Sequence, residues 1–272
     1  MKICVYGSRG SIPFASYGSK FGGNTSCMTI KTGDEELVLD AGSGLFAFQE
    51  KLRMLGGGKV RGLPPINILI SHLHLDHIIG LGMFAPAWAG VNVKLYTISR
   101  STTPLKEQVL GIFTPPYWPK NMKNLENVEV IEINPDVPFK IGVFTITPFL
   151  ATHPDATISF YVTDGKKKFV HLLDSEYDSA AHLDYASHRM YFENADLVVF
   201  DACYMPDDYP KFAGWGHSTV RQGVEIAKKW KVKLMMFSHF AQHYSDDELR
   251  SLTRYFDGNE FILARDGLEF EI

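Results

Sequence analysis

Short apolar runs bounded by turn residues recur along the whole 272-residue chain, at residues 3–6, 28–30, 37–39, 66–70, 93–96, 128–133, 143–150, 158–162, 169–173, 197–200, 234–237 and 261–263. Runs of this length and flanking chemistry read as buried strands. Five of them end alike, on a histidine or an aspartate. The run at 66–70 leads into Ser71-His72-Leu73-His74-Leu75-Asp76-His77, and that at 143–150 into Ala151-Thr152-His153. Those at 169–173, 197–200 and 234–237 lead into Asp174, Asp201 and Ser238-His239. An imidazole or carboxylate just past a buried strand sits on a rigid element at a sheet rim, where open α/β folds place their sites. The five endings predict one shared site.

Helical spacing occurs at residues 45–55, ahead of the Gly56-Gly57-Gly58 break, and at 180–192, 220–230 and 246–256. Ser218-Thr219 suits an N-cap for the third of these, and Ser245 with Glu248 a capping box for the fourth. The first half is strand-rich and the second alternates strand with helix, which predicts an α/β fold of packed sheets with helices outside. Residues 56–65, rich in Gly and Pro, read as a loop within a domain. Residues 104–127, with Thr114-Pro115-Pro116-Tyr117-Trp118-Pro119, form the longest irregular segment. It reads equally as a lid or rim beside a pocket and as a surface loop with its aromatics packed down.

With 45% hydrophobic and 21% charged residues the chain has the makings of a large core, which rules out disorder and fibrous structure. A net charge of −4 gives no global attraction to nucleic acid or an anionic membrane. The basic run Lys166-Lys167-Lys168 after Asp164-Gly165 reads as a solvated hairpin tip. Cys4, Cys27 and Cys203 lack CxxC spacing, so neither a disulfide framework nor a Cys-rich zinc site is expected. The N-terminal apolar run is too short for a signal peptide, and no run reaches the roughly 20 apolar residues of a membrane helix. A cytoplasmic protein is the expectation.

Within His72-Leu73-His74-Leu75-Asp76-His77, extended alternation points His72 and His74 to one side. Asp76 and His77 follow where the chain turns, so they diverge from that pair, and one hexapeptide can serve two metals. Imidazole and carboxylate ligands suit Zn²⁺, and also Mn²⁺ or Fe²⁺, while the lack of a neighbouring thiolate argues against a structural zinc site.

The hexapeptide resembles the HxHxDH signature of the metallo-β-lactamase superfamily. Tyr6-Gly7-Ser8-Arg9-Gly10-Ser11, Gly22-Gly23-Asn24-Thr25-Ser26-Cys27, Leu39-Asp40-Ala41-Gly42-Ser43-Gly44-Leu45 and Gly214-Trp215-Gly216-His217-Ser218-Thr219 are similar to the branch that holds tRNase Z and phosphodiesterase-like hydrolases. The resemblance implies a single domain over residues 1–272, an αββα four-layer sandwich of two mixed β-sheets with helices outside. It also implies two divalent ions, zinc foremost. His72, His74 and His153 would bind the first ion, Asp76, His77 and His239 the second, and Asp174 would bridge them. Asp201 competes for the bridge; the resemblance favours Asp174, and pairs Asp201 with His217 as a proton relay, with Asp in place of the usual Glu. Asp76, Asp201 and His217 are thereby the residues implied for catalysis, Asp76 doubling as a ligand.

Asp40 resembles a residue that orients the His-rich loop rather than a ligand, and Gly42 and Gly44 would let that loop approach closely. Thr25 and Ser26 read either as hydroxyl donors to a phosphate or as a plain turn. His243 is a candidate for the pocket rim. His171, His182 and His188 read as structural, His171 because three-residue alternation sets it on the face opposite Asp174.

Metal coordination can lower the pKa of water from about 15.7 to about 7, making hydroxide available near neutral pH, and His217 held by Asp201 is suited to protonate a leaving oxygen. The leading expectation is a dinuclear hydrolase of a cyclic nucleotide or small phosphodiester. The alternatives are a tRNA 3′-processing endonuclease, disfavoured by the acidic charge, and hydrolysis of β-lactams, lactones or thioesters on the same site. A non-catalytic metal-binding scaffold is the reading outside enzymology, and the full ligand set opposes it. A small molecule is thus the expected partner, nucleic acid is not favoured, no membrane is expected, and a homodimer stays open.

Overall fold

The computed structural model describes residues 1–15, 17–177, 188–257 and 260–272. Strands β1 (Lys2–Gly7), β2 (Cys27–Thr32), β3 (Glu35–Leu39), β4 (Ile66–Leu69), β5 (Val93–Thr97) and β6 (Val128–Glu132) form one sheet in that order. The second comprises β7 (Phe139–Ile141), β8 (Phe144–Leu150), β9 (Ile158–Thr163), β10 (Lys168–Leu172), β11 (Leu197–Asp201), β12 (Met235–Ser238) and β13 (Phe261–Leu263), again in sequence order. The chain returns as β14 (Glu269–Glu271) to pair with β1, so each sheet has seven strands. Both are mixed. Strands β1 to β3 pair antiparallel and β3 to β6 parallel, while β7 to β10 pair antiparallel and β10 to β13 parallel.

The sheets face each other across Ile3, Val5, Ile30, Leu39, Phe160 and Met236 and their neighbours, all buried. Alternate residues point outward: Phe169 faces the other sheet, while Val170 and Leu172 face the outer layer. Strands covered on both faces read as continuous apolar runs, which explains the sequence pattern. Outside the second sheet lies the helix Val220–Trp230, which buries Val220, Gly223, Val224, Ala227 and Trp230 along one stripe. Thr219 and Gln222 close its capping box, worth about 1 kcal/mol. The first sheet is covered by the helix Leu45–Leu55, whose Leu45 and Phe48 are buried.

Every apolar run named above lies on a strand. The sequence pattern misses β7 and β14, which have three residues each; Phe139-Lys140-Ile141 and Glu269-Phe270-Glu271 offer too few apolar positions for a signal. The helix expected at 246–256 is α-helical over Asp246–Ser251 and 3₁₀ over Leu252–Tyr255. Of the one expected at 180–192, Arg189–Phe192 is helical and residues 180–187 lie outside the described residues. The segment 104–127 is more ordered than expected, with a helix at Leu105–Leu110. Phe113 is buried and meets Trp118 edge-on at 5.5 Å, so those aromatics pack down, while Tyr117 stays exposed.

Candidate metal centre

Parallel pairing decides where the polar residues land. Leu39 of β3 lies beside Leu69 of β4, so Asp40 and the segment entering His72 leave one edge together. Leu172, Phe200 and Phe237 align across β10, β11 and β12, which places Asp174, Asp201 and His239 along the facing edge. Asp40, Asp174 and His239 all have left-handed backbones, with φ of 59°, 50° and 65°. Non-glycine residues adopt this region at a cost of order 1 kcal/mol or more, and it recurs where a side chain must be aimed. Gly42 serves a close approach: a Cβ there would lie 2.1 Å from the Asp76 carbonyl oxygen.

Two groups of ligand atoms converge between the edges. In the first, His72 Nε2 is 2.9 Å from His74 Nδ1, which is 3.3 Å from His153 Nε2. Asp174 Oδ1 lies 3.7 Å from His72 Nε2 and 3.9 Å from His153 Nε2. In the second, His77 Nε2 is 3.2 Å from His239 Nε2, and Asp76 Oδ2 is 3.4 and 3.2 Å from those atoms. Asp174 Oδ2 completes this group at 3.0 Å from His77 and 3.3 Å from His239. The hexapeptide thus divides as its alternation predicts.

Four of the five imidazoles have a partner for the remaining ring nitrogen, and His239 Nδ1 is buried without one. Ser71 Oγ lies 3.1 Å from His72 Nδ1, Asp155 Oδ2 is 2.7 Å from His74 Nε2, and the Gly216 carbonyl is 3.0 Å from His153 Nδ1. Asp40 Oδ2 lies 2.8 Å from His77 Nδ1, while Asp40 itself accepts from the Ser71 amide and the Ser26 hydroxyl. Such outer partners fix which nitrogen faces inward.

Four buried aspartates, Asp40, Asp76, Asp174 and Asp201, crowd this space. Burial would raise Asp174, but His239, His77 and His72 hold it well below the usual carboxylate range. Its Oδ2 is buried without a hydrogen-bond donor. Burial would likewise lower His77, yet Asp174, Asp40 and Asp76 raise it well above an ordinary histidine, whereas burial drives His72 down. Buried carboxylates without matching cations are costly. Ligands about 2.0–2.1 Å from a tetrahedral ion sit about 3.3 Å apart; the second group keeps to 3.0–3.4 Å and the first spans 2.9–3.9 Å around that value. The residues present therefore fit divalent metal ions.

Asp201 is differently employed. Its Oδ1 accepts from the Cys203 and Ser218 amides, and its Oδ2 accepts from the Asp174 amide and meets His217 Nδ1 at 2.8 Å. The shorter Asp side chain spans the distance. Burial would lower His217, but Asp201, Asp174 and Asp76 raise it to about 9. The adjoining helix is capped by Thr219, so His217 is not its cap.

Thr25 and Ser26 are buried; the Thr25 hydroxyl accepts from the Ser43 amide and Ser26 serves Asp40, which is the turn reading. His171 is buried and 3.9 Å from Asp40 Oδ2, so it borders the centre without joining a ligand group, and burial lowers it to about 4. His188 packs on Phe149, His243 meets the Tyr244 ring at a tilt and belongs to neither ligand group, and His182 lies outside the described residues. Sequence reasoning missed Asp155, the Gly216 carbonyl and the Cys203 thiol, which lies within reach of His217 and His239. The position of Cys203 two residues past Asp201 was the available signal for the last. A cavity of about 590 Å³ opens beside His153, bordered by Pro154, Tyr209, Ala213 and Gly214. No helix among the described residues is long and apolar enough to cross a membrane.

Comparison with known proteins places this geometry. A family model described as the beta-lactamase superfamily domain matches residues 35–240. Ribonuclease Z of Thermococcus onnurineus is 23% identical over 295 aligned residues, covering 89% of this chain and 88% of that protein. The metallo-beta-lactamase fold protein YhfI from Bacillus subtilis superposes with a TM-score of 0.71 at 24% identity, covering 99% of this chain and 98% of its own. A diphosphatase from the PhnP family gives a TM-score of 0.68 at 21% identity, covering 99% and 96%. The two structural likenesses speak to the fold.

Proposed function

Since this chain belongs to the β-lactamase superfamily and is a metal-dependent hydrolase of that fold, we propose that it hydrolyses phosphodiester bonds, with a cyclic nucleotide or another small phosphodiester as substrate. The observation that carries this reading is the Asp201–His217 pair, closed at 2.8 Å beside the two ligand groups. In this reading His72, His74 and His153 would hold one ion, Asp76, His77 and His239 the other, and Asp174 would serve both. When bound, the ions supply activation of water near neutral pH and Lewis-acid stabilisation of charge on the ester oxygen.

The chain's own groups do the rest. Asp40 keeps Nδ1 of His77 engaged so that Nε2 faces inward. Asp76 accepts the Ser11 amide at 2.7 Å through the same oxygen that faces His239, and so ties the Ser11 loop to the catalytic space. Asp201 orients His217 and favours its protonated form, which suits donation to a departing alkoxide. The cavity beside His153 lies within the size range of small-molecule sites.

The test uses wild type, His74→Ala and His217→Ala, assayed for metal content and for cleavage of bis-(p-nitrophenyl) phosphate and cyclic nucleotides. Wild type should carry about two ions and cleave; His74→Ala should lose metal; His217→Ala should keep metal and lose about 10²- to 10⁴-fold in kcat. Loaded wild type that cleaves none of these esters overturns the phosphodiester reading.

The likeness to a ribonuclease Z over most of the chain favours a second reading, a tRNA 3′-processing endonuclease. Net charge −4 opposes it. Cleavage of a precursor tRNA, with steeply salt-dependent binding, would put it first.

A further inference from the structure

Glu176 lies two residues beyond Asp174 and is buried. Both of its carboxylate oxygens are taken by the loop that carries His217. Oε1 accepts the Gly214 N–H at 2.7 Å and the Tyr209 hydroxyl at 2.7 Å, and Oε2 accepts the Gly216 N–H at 2.9 Å. Hydrogen bonds to an ionised acceptor are about twice as strong as neutral ones. Gly214 and Gly216 both have left-handed backbones, with φ of 88° and 86°, a shape that glycine permits but does not enforce. The carboxylate supplies the enforcement.

What the loop does with that order is visible at one residue. The N–H of Gly216 is held by Glu176, and its carbonyl lies 3.0 Å from His153 Nδ1. A Cβ on Gly216 would lie 2.3 Å from that same Nδ1, so loop and ring are in close apposition. The next residue is His217. A second clasp runs alongside, from Ser218 Oγ to the Ser175 carbonyl at 2.6 Å and from the Tyr177 amide to Ser218 Oγ at 2.9 Å.

We infer that Glu176 is a positioning residue which, through the backbone of Gly216, sets both the ring orientation of His153 and the placement of His217. The inference rests on the roles proposed above for those two histidines. It also requires a carboxylate at this position. A glutamine has one acceptor oxygen and would turn its NH₂ toward one set of N–H donors, so it keeps the volume and breaks one arm of the latch.

Glu176→Gln and Glu176→Ala in the full chain test it with three readouts. The first is amide exchange over residues 214–217 in metal-free protein. The second is the rate at which a coloured chelator strips zinc from loaded protein, and the third is kcat and KM on bis-(p-nitrophenyl) phosphate. Expected in both variants are exchange faster by about tenfold or more, zinc release faster by about tenfold, and kcat lower by about 10- to 100-fold with KM within about twofold. Glu176→Gln should melt near wild type, which separates the effect from unfolding. Unchanged exchange would remove the latch itself, and faster exchange with zinc release and kcat within about twofold of wild type would reduce Glu176 to a loop fastener. If wild type cleaves no phosphodiester while the variants still release zinc faster, the inference stands and the substrate reading falls. Failure of wild type to load metal would sink both.

Discussion

The group of His72, His74 and His153 reaches the surface through His74, whereas Asp76, His77 and His239 are buried throughout. The His74 side chain is 45% exposed and its outer nitrogen is held by Asp155, itself 65% exposed. His77 has no exposed surface, and its outer nitrogen is held by Asp40, equally buried and with two further donors of its own. The inner group also owns a carboxylate, Asp76, beyond its share of Asp174. One half of the centre is therefore a charged, rigid anchor, and the other faces the cavity and the solvent from which a substrate arrives. Buried charge with satisfied partners binds cations firmly, while exposed pairs are screened.

Asp40→Ala should produce the largest effect. It strips the acceptor from His77, Ser71 and Ser26 at once, and breaking a buried charged network costs about 3–5 kcal/mol. Calorimetry should show a large fall in melting temperature, and metal analysis should show the inner ion lost first. A melting temperature close to wild type would mean that the anchor is not where this comparison puts it.

The next effect is on titration. His217 is raised to about 9 in the metal-free protein by the carboxylates facing it, against the lowering effect of burial. A folded value above the ordinary 6.5 contributes stability that is complete below pH 6.5 and is withdrawn as pH climbs through 9. Metal-free protein should accordingly lose stability over that window, and His217→Gln should lose less. Loading with zinc should lower the His217 value, which NMR of the imidazole would follow directly.

Asp155→Ala, the surface counterpart of Asp40→Ala, should have the smallest effect. Exposed ion pairs contribute about 0–1 kcal/mol, so the melting temperature should barely move. The outer ion should bind about tenfold more weakly, because His74 loses the partner that sets its tautomer. Equal losses of metal affinity in the Asp40 and Asp155 variants would erase the distinction between the halves.

The residues legible from sequence are those whose position follows from a strand. Asp174, Asp201 and His239 could be placed because a buried run ends just before each, and His72 through His77 because alternation sorts them. The partners that arrive from another loop left no such trace. Asp155 reaches His74 across 81 positions, and Glu176 reaches Gly214 across 38. Nothing local marks either carboxylate, since each sits in a polar segment where acids are ordinary. The fold shows the same division: long strands and capped helices appear in the pattern, whereas β7 and β14 depend on neighbours distant in the chain.

The two sheet edges that supply the ligands also impose an order in time. Residues from 72 to 239 contribute to the two groups, and both groups draw on Asp174. A nascent chain emerging from the ribosome owns the hexapeptide early, yet His239 follows it by 162 positions. Until that last imidazole is out and the second sheet has closed over the first, the inner pocket does not exist. Capture of the inner ion therefore waits on the docking of the two sheets, whereas the ligands of the outer group are all present once Asp174 has been made.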